Sequence, residues 1–233
     1  MEVSWRIKPY VDMLTTGQVF TQANYGDGEW SCILGRTGIN NQGDIYTPEL
    51  QGALSETLTA PRFSFFGTNP GAAFWNEAWE WCARNWVIVP WVHKEMLPSA
   101  NVRGHLGPFI RALQHRSICL VGPPHLWPAI CDIFPGVEFV EVPLPGASAT
   151  VAQTVEDVWE VCLNGRADVV LFSSGMATNV TMHALMPRVG MSGITMMDCG
   201  AIWDPYVGVH SRWRYALPEV QRIIADVHKE MIQ

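Results

Sequence analysis

A regular alternation of apolar strands and helical segments in the second half of this chain most constrains its fold. Four apolar runs have the length of buried strands: Ser117–Gly122, Val137–Val142, Ala167–Gly175 and Gly193–Asp198. Helical patterns over Val151–Leu163 and Thr178–Met186 lie between them. Strands that are apolar along their whole length and alternate with helices are typical of a parallel sheet covered on both faces. We therefore predict the α/β class, with a mostly parallel sheet and helices on both faces.

The first half has a less regular pattern. Thr47-Pro48-Glu49 combines an N-cap, a proline at the first helical position and an acid in the first turn, which predicts a helix start. Further predicted elements are strands at Val19–Ala23, Phe63–Gly67 and Val87–Val89, a helix that opens at Trp30, an aromatic-rich helix that ends near Asn85, and a C-terminal helix over 218–232. Trp75, Trp79 and Trp86 recur at roughly helical spacing, so we expect them to be buried. A single domain over residues 1–233, with its sheet core at about 18–205, is predicted.

Composition and charge indicate a protein of the reducing cytoplasm. The 233 residues carry a net charge of −7, which argues against broad non-specific binding to nucleic acid. Arg212-Trp213-Arg214-Tyr215 is either a local basic patch or an ordinary amphipathic surface stretch. The six cysteines form no Cys-x-x-Cys pair and predict buried thiols. Without a signal peptide or an apolar run that could span a bilayer, we expect a cytoplasmic protein with no membrane partner.

The segment Tyr25-Gly26-Asp27-Gly28-Glu29 places two carboxylates among two glycines at the end of a predicted strand. Glycine lets another group approach the backbone closely. Asp and Glu supply the hard oxygen ligands that hold Mg²⁺ or Mn²⁺ against a phosphate. An acidic turn is the alternative, because Asp-Gly is a common turn dipeptide.

Residues that follow the predicted strands are candidates for a ligand site, since ligands of such sheets bind at the carboxyl ends of strands. These residues are Gly122, Ser173, Ser174, Gly175, Asp198, Cys199 and Gly200. Backbone N–H groups at a glycine-rich turn into a helix bind phosphate oxygens. Ser174, Gly175 and Thr178 fit that description, although an ordinary strand-to-helix turn explains them as well.

Taken in order, these segments resemble the glycosyltransferases of the GT-D fold, bacterial enzymes with a Rossmann-like parallel sheet and an Asp-x-Glu metal motif. The matching segments are Gly26-Asp27-Gly28-Glu29, Pro48-Glu49-Leu50, Gly175-Met176-Ala177-Thr178 and Asp198-Cys199-Gly200. The first is moderately specific and the others are weak alone. Asn24 stands where the family has an arginine, and Ala201 stands where it has a histidine.

The resemblance implies a glycosyltransferase that depends on Mn²⁺ or Mg²⁺ and uses a nucleotide sugar, with a UDP-sugar expected first. Asp27 and Glu29 are then the implied metal and diphosphate motif. The candidate donor-binding residues are Gly26, Gly28, Gly122, Ser173, Ser174, Gly175 and Thr178.

An inverting transfer also needs a base for the acceptor hydroxyl. Asp198 is the first candidate because it ends a strand, and Asp204 is the second because aromatic residues surround it in the sequence. A retaining transfer needs no such base. The expected acceptor is a glycan, a glycoprotein or a hydroxymethylated base in phage-type DNA. A non-catalytic nucleotide-sugar binding module and a metal-dependent hydrolase of nucleotide diphosphates stay open as alternatives.

Overall fold

The structure, a computed structural model, describes residues 7–40, 43–189 and 193–232. Residues 1–6, on which the prediction of no signal peptide rests, lie outside the described residues. The strands are β1 (Thr21–Asn24), β2 (Phe65–Thr68), β3 (Trp91–His93), β4 (Ile118–Gly122), β5 (Glu138–Glu141), β6 (Val169–Phe172) and β7 (Thr195–Asp198). They form one sheet in the order β3-β2-β1-β7-β6-β4-β5. Every pair of neighbouring strands is parallel, which confirms the predicted α/β class.

Ten α-helices lie in the described ranges. They are α1 (Lys8–Thr16), α2 (Asp27–Ile33), α3 (Pro48–Thr59), α4 (Trp75–Arg84), α5 (Met96–Val102), α6 (Gly107–Gln114), α7 (Trp127–Ile133), α8 (Val151–Leu163), α9 (Ala177–Val189) and α10 (Pro218–Met231). The start of α3 follows from the sequence, because the Thr47 hydroxyl accepts the Leu50 N–H at 3.2 Å and Pro48 occupies the first helical position.

Two apolar cores cover the two faces of the sheet. Alternate residues of one strand point to opposite faces, so Ile118 and Leu120 of β4 enter one core while Cys119 and Val121 enter the other. The first core takes its helical residues from α1, α5, α6, α7 and α10. The second takes them from α2, α3, α4, α8 and α9. The prediction of helices on both faces is thereby confirmed.

The second half of the chain matches its predicted elements closely, and the first half departs in three places. Residues 87–89 form no strand, because β3 lies at Trp91–His93 instead. The helix predicted near Trp30 begins earlier, at Asp27. The expected burial of three tryptophans is wrong: Trp79 is 55% exposed, Trp86 is 87% exposed, and Trp75 is partly buried. α4 ends at Arg84, so Trp86 lies outside the helix and its spacing from Trp75 and Trp79 does not place it on their helical face.

Five of the six cysteines are buried and the sixth, Cys131, is partly buried, as predicted for free thiols. Among the described residues, no helix combines the length and apolarity that crossing a membrane requires.

Candidate active site

A cavity of about 390 Å³ opens at the carboxyl ends of β1 and β7. These two strands are neighbours in the sheet. The helix that follows β1 packs in the second core, whereas the segment Cys199–Tyr206 that follows β7 packs in the first. Since the chain leaves the two strand ends toward opposite faces, a crevice forms between them, which is where ligands bind in open parallel sheets.

The two predicted metal ligands, Asp27 and Glu29, line this cavity at the first and third positions of α2. The Asp27 side chain is exposed. Glu29 turns back toward the helix start, where its Oε2 accepts the Gly26 N–H at 2.7 Å. Burial raises the pKa of Glu29, while the Lys94 ammonium and the Gly26 N–H act in the opposite direction. The pair therefore consists of one open carboxylate and one that caps its own helix.

Asp198 contributes a third carboxylate to the cavity and is only 8% exposed. Its Oδ1 accepts the Gly200 N–H at 2.8 Å, and its Oδ2 accepts the Asn24 N–H at 3.2 Å. Burial and the nearby charge of Glu29 raise the pKa of Asp198 from 3.8 to about 7. A carboxyl group with a pKa near neutrality exchanges its proton in the working range of a general base.

Asn24 ties the two strand ends together. Its amide Nδ2 donates to the Asp198 carbonyl at 2.8 Å, and its Oδ1 accepts from the Gln22 amide at 3.1 Å. The Asn179 amide of α9 donates to the Asn24 carbonyl at 2.9 Å. Asn24 thus holds the walls of the cavity in place, at the position where the GT-D family has an arginine. Ala201, the second departure from that family, also lines the cavity.

Positive charge enters the cavity from two segments. Lys94 follows β3 directly, and Arg212 and Arg214 belong to the segment that precedes α10. Arg214 pairs with Glu95 at 2.7 Å. Across the described ranges, neither Lys94 nor Arg212 makes a side-chain hydrogen bond or an ion pair. The candidate basic patch is therefore in part a wall of this cavity, with Trp213 beside it at 80% exposure.

The remaining predicted site residues divide into two groups. Gly26, Gly28 and Gly175 line the cavity, and Gly175 has a φ of +61° at the turn into α9. Gly122, Ser173, Ser174, Thr178 and Asp204 are not among its lining residues. Ser174 and Thr178 hydrogen-bond to each other at 2.9 Å. Asp204 lies 3.5 Å from His125 Nε2.

The Asp-x-Glu pair suits a metal that is held mainly by its substrate. Among the described residues no three His, Cys, Asp or Glu side chains form a group that could hold a metal ion. Mg²⁺ is commonly bound through one or two carboxylates together with substrate phosphates and water. The open carboxylate of Asp27 fits such a ligand, whereas Glu29 would have to leave its helix-capping bond or act through water.

Sequence reasoning did not find Lys94. The residue follows the short, part-buried strand β3, and the expected strand at Val87–Val89 placed the strand end too early. A strand end at His93 would have drawn attention to a lysine at the carboxyl edge of the sheet.

Comparison with known proteins adds evidence about the fold. No protein-family model matches the sequence, and no curated protein matches it. Two solved structures of a domain of unknown function, DUF1792, do match, each with a TM-score of 0.62 over 86% of this chain and 78% of theirs. They are 13% and 12% identical to this chain in sequence. One of them is described as showing that DUF1792 has a distinct glycosyltransferase fold. At this identity the likeness concerns the fold, so this chain has a glycosyltransferase-like fold.

Proposed function

We propose that this protein is a glycosyltransferase that moves a sugar from a nucleotide sugar, a UDP-sugar first among them, to a hydroxyl acceptor. The observation that carries the proposal is the convergence of Asp27, Glu29 and Asp198 on one cavity at the carboxyl edge of the sheet. The likeness to the DUF1792 structures supports the proposal, because one of them is described as having a distinct glycosyltransferase fold. Three carboxylates that line one cavity repel one another. Such a costly arrangement is typical of a site where carboxylates bind a cation or exchange a proton with a substrate.

Mn²⁺ or Mg²⁺ is the proposed cofactor. When bound, it would neutralise the charge on the donor's diphosphate. Asp27 is the first ligand because its carboxylate is open, and Glu29 is the second. Gly26, Gly28 and Gly175 would allow the donor to approach the backbone closely at the cavity wall.

Asp198 is the proposed base of an inverting transfer. In that step the bond between the anomeric carbon and the leaving phosphate oxygen breaks, and its electron pair stays on that oxygen. The acceptor oxygen bonds to the anomeric carbon and gives its proton to Asp198. Because burial and Glu29 raise the pKa of Asp198 to about 7, the carboxylate needed for this step accumulates as the pH rises through neutrality. Asp204 is the weaker candidate, since it lies outside the cavity lining, beside His125.

The acceptor is proposed to approach past Arg212 and Trp213. Arg212 lines the cavity, and Trp213 presents an aromatic face to solvent. An exposed indole stacks on sugar faces and on nucleobases, so a glycan, a glycoprotein and hydroxymethylated DNA are all acceptors to test.

The test is a mass-spectrometric screen of nucleotide-sugar donors with Mn²⁺, against glycan, peptide and hydroxymethylated-DNA acceptors. We expect a donor to be consumed only when an acceptor is present, and EDTA to remove most of the turnover. Asp27→Asn, Glu29→Gln and Asp198→Asn should each lose at least tenfold in turnover, while Asp226→Asn, an exposed carboxylate on α10, should match the parent.

Other outcomes would replace the proposal. A donor that is bound and never consumed would indicate a binding module. A donor that is consumed equally without acceptor would indicate a hydrolase. Loss of donor affinity in Asp198→Asn, without a change in turnover at saturation, would move Asp198 from the base role to the donor site.

A further inference from the structure

Lys94 lines the cavity in a position where two glycines leave room for it. Its backbone N–H donates to the Thr68 carbonyl at 3.0 Å, which fixes the residue at the end of β3. A Cβ atom on Gly26 would lie 2.6 Å from the Lys94 Nζ, and one on Gly67 would lie 3.2 Å from the Lys94 Cβ. The lysine stem therefore crosses one glycine and its ammonium group reaches the other.

The ammonium group of Lys94 has no direct protein partner. In the part of the chain that the structure describes, Lys94 Nζ makes no hydrogen bond and no ion pair within 4.0 Å. The charge of Lys94 acts to lower the pKa of Glu29 and of Asp198, but neither carboxylate lies within ion-pair distance of the ammonium group. Arg214 of the same cavity differs, since Glu95 already binds its guanidinium.

A partly buried ammonium without a partner is suited to an anionic ligand. Lysine binds phosphate as a compact point charge. A fixed positive charge that is already in place stabilises an anion without the cost of reorganising the site. The three carboxylates would repel an anion, so its charge has to meet the cavity at a cation without a protein partner among the described residues. Lys94 and Arg212 both fit that description, and Lys94 is the one held between two glycines at the strand ends.

We propose that Lys94 binds the diphosphate of the donor and stabilises it as the leaving group, a role that does not require a metal. This proposal rests on the proposed glycosyl transfer. When the bond between the anomeric carbon and the phosphate oxygen breaks, its electron pair adds negative charge to that oxygen. The ammonium of Lys94 offsets this charge, and the proton of the acceptor goes to the base on the other side of the reacting carbon.

Pyrophosphate is the probe, because it carries the diphosphate charge without a sugar or a base. We would measure its binding by calorimetry in EDTA for the parent, Lys94→Gln and Lys94→Ala. The glutamine variant keeps the first part of the side-chain stem and replaces the ammonium group by a neutral amide. We expect the parent to bind pyrophosphate, with an affinity that falls as salt is added, and both variants to lose at least tenfold in affinity.

The chain supplies a matched control. His93-Lys94-Glu95-Met96 recurs as His228-Lys229-Glu230-Met231 on α10, where Lys229 is exposed and is not one of the residues that line the cavity. Lys229→Gln removes the same charge from the same tetrapeptide and should bind pyrophosphate as the parent does. Thermal unfolding of all variants shows whether a loss of binding comes from a loss of folding.

Two results would overturn the role of Lys94: a parent that binds no pyrophosphate in EDTA, or a folded Lys94→Gln that binds it as tightly as the parent. Should Lys94→Gln fail to fold, an undiminished affinity in Lys94→Ala overturns the role in the same way. If neither variant folds, the parent decides: the role is overturned if pyrophosphate does not protect Lys94 against acetylation. The outcome is separate from that of the proposed function. A protein that binds pyrophosphate through Lys94 and consumes no donor would refute glycosyl transfer alone.

Discussion

Burial of the Asp198 carboxyl predicts an inverted dependence of stability on pH. In the folded protein the pKa of Asp198 is raised from 3.8 to about 7, by burial first and by Glu29 second. Between these two values the folded state keeps a proton that the unfolded state has released. The contribution of Asp198 to the free energy of unfolding should therefore fall by about 1.4 kcal/mol per pH unit across this window. The stabilising contribution is complete below about pH 4 and is lost as the pH rises through about 7.

The size of the effect follows from the same shift. About three pKa units at about 1.4 kcal/mol each give a loss of about 4 kcal/mol between pH 4 and pH 8. Asp198→Asn removes the titrating group. Its amide oxygen can accept only one of the two N–H groups that Asp198 now accepts, from Asn24 and Gly200. The variant should therefore be less stable than the parent by roughly 1–2 kcal/mol at low pH and more stable than the parent above neutrality.

Urea denaturation followed by circular dichroism, in EDTA and at pH steps from 4.5 to 8.5, measures both curves. Asp226→Asn is the control, because its carboxylate lies exposed on α10 and its curve should run parallel to the parent's. Parallel curves for the parent and Asp198→Asn would refute the reasoning. A crossing of the two curves would support it, and the pH above which their difference stops changing would locate the pKa of Asp198 in the folded protein.

Further substitutions test the glycines near the cavity and an exposed tryptophan. Gly67→Ala should lower the free energy of unfolding by at least about 2 kcal/mol, because its Cβ would overlap the Asn24 Oδ1. In urea denaturation a Gly67→Ala/Asn24→Ala double variant should recover part of this loss, and strictly additive effects would contradict the clash. Trp86→Gly should raise stability by about 1 kcal/mol, since Trp86 is 87% exposed and has a φ of +55°, and an unchanged or lower Tm would contradict this. Gly175→Ala and Gly17→Ala should each lower the free energy of unfolding by about 1 kcal/mol, because both glycines have a positive φ. Only Gly175→Ala should weaken pyrophosphate binding, and equal binding by both variants would show that the Gly175 turn has a structural role alone.

The sheet was predictable where its strands are buried along their whole length. β4 and β6 each have a neighbouring strand on both sides and are buried on both faces, so their sequences are apolar along the whole strand and the pattern is easily recognised. β3 is an edge strand of three part-buried residues, and its position is set by pairing of Phe66 with Trp91 rather than by its own composition. Val87–Val89 has the stronger strand propensity and forms no strand, since tertiary pairing overrides such preferences.

Candidate site residues could be predicted one by one but not as a set. The rule that ligands meet the carboxyl ends of strands selected Asp198, Gly175, Gly122 and Ser173 alike. The strand order separates Asp198 from Gly122, because β7 adjoins β1 while β4 lies farther along the sheet. Ser173 and Gly175 both follow β6, and the path of the turn decides that only Gly175 lines the cavity. That order depends on long-range pairing, which the alternation of strands and helices leaves open. The arrangement of Lys94 across two glycines depends on the same long-range packing.

The charges of the cavity are arranged so that they do not cancel within the protein. The Glu29 carboxylate accepts the Gly26 N–H at the start of its own helix. The Asp198 carboxylate accepts the backbone N–H groups of Asn24 and Gly200, at two strand ends. Lys94 is near enough to lower the pKa of both acids and too far to pair with either. A cavity built for stability would close these ion pairs, because unpaired buried charge destabilises the folded state. Charges kept apart in this way remain available to an anion at Lys94 and to a cation or a proton at the carboxylates. In the proposed reaction the donor's diphosphate would lie on one side of the transferred sugar and the acceptor hydroxyl on the other. An anion at Lys94 and a proton acceptor at the carboxylates fit these two groups.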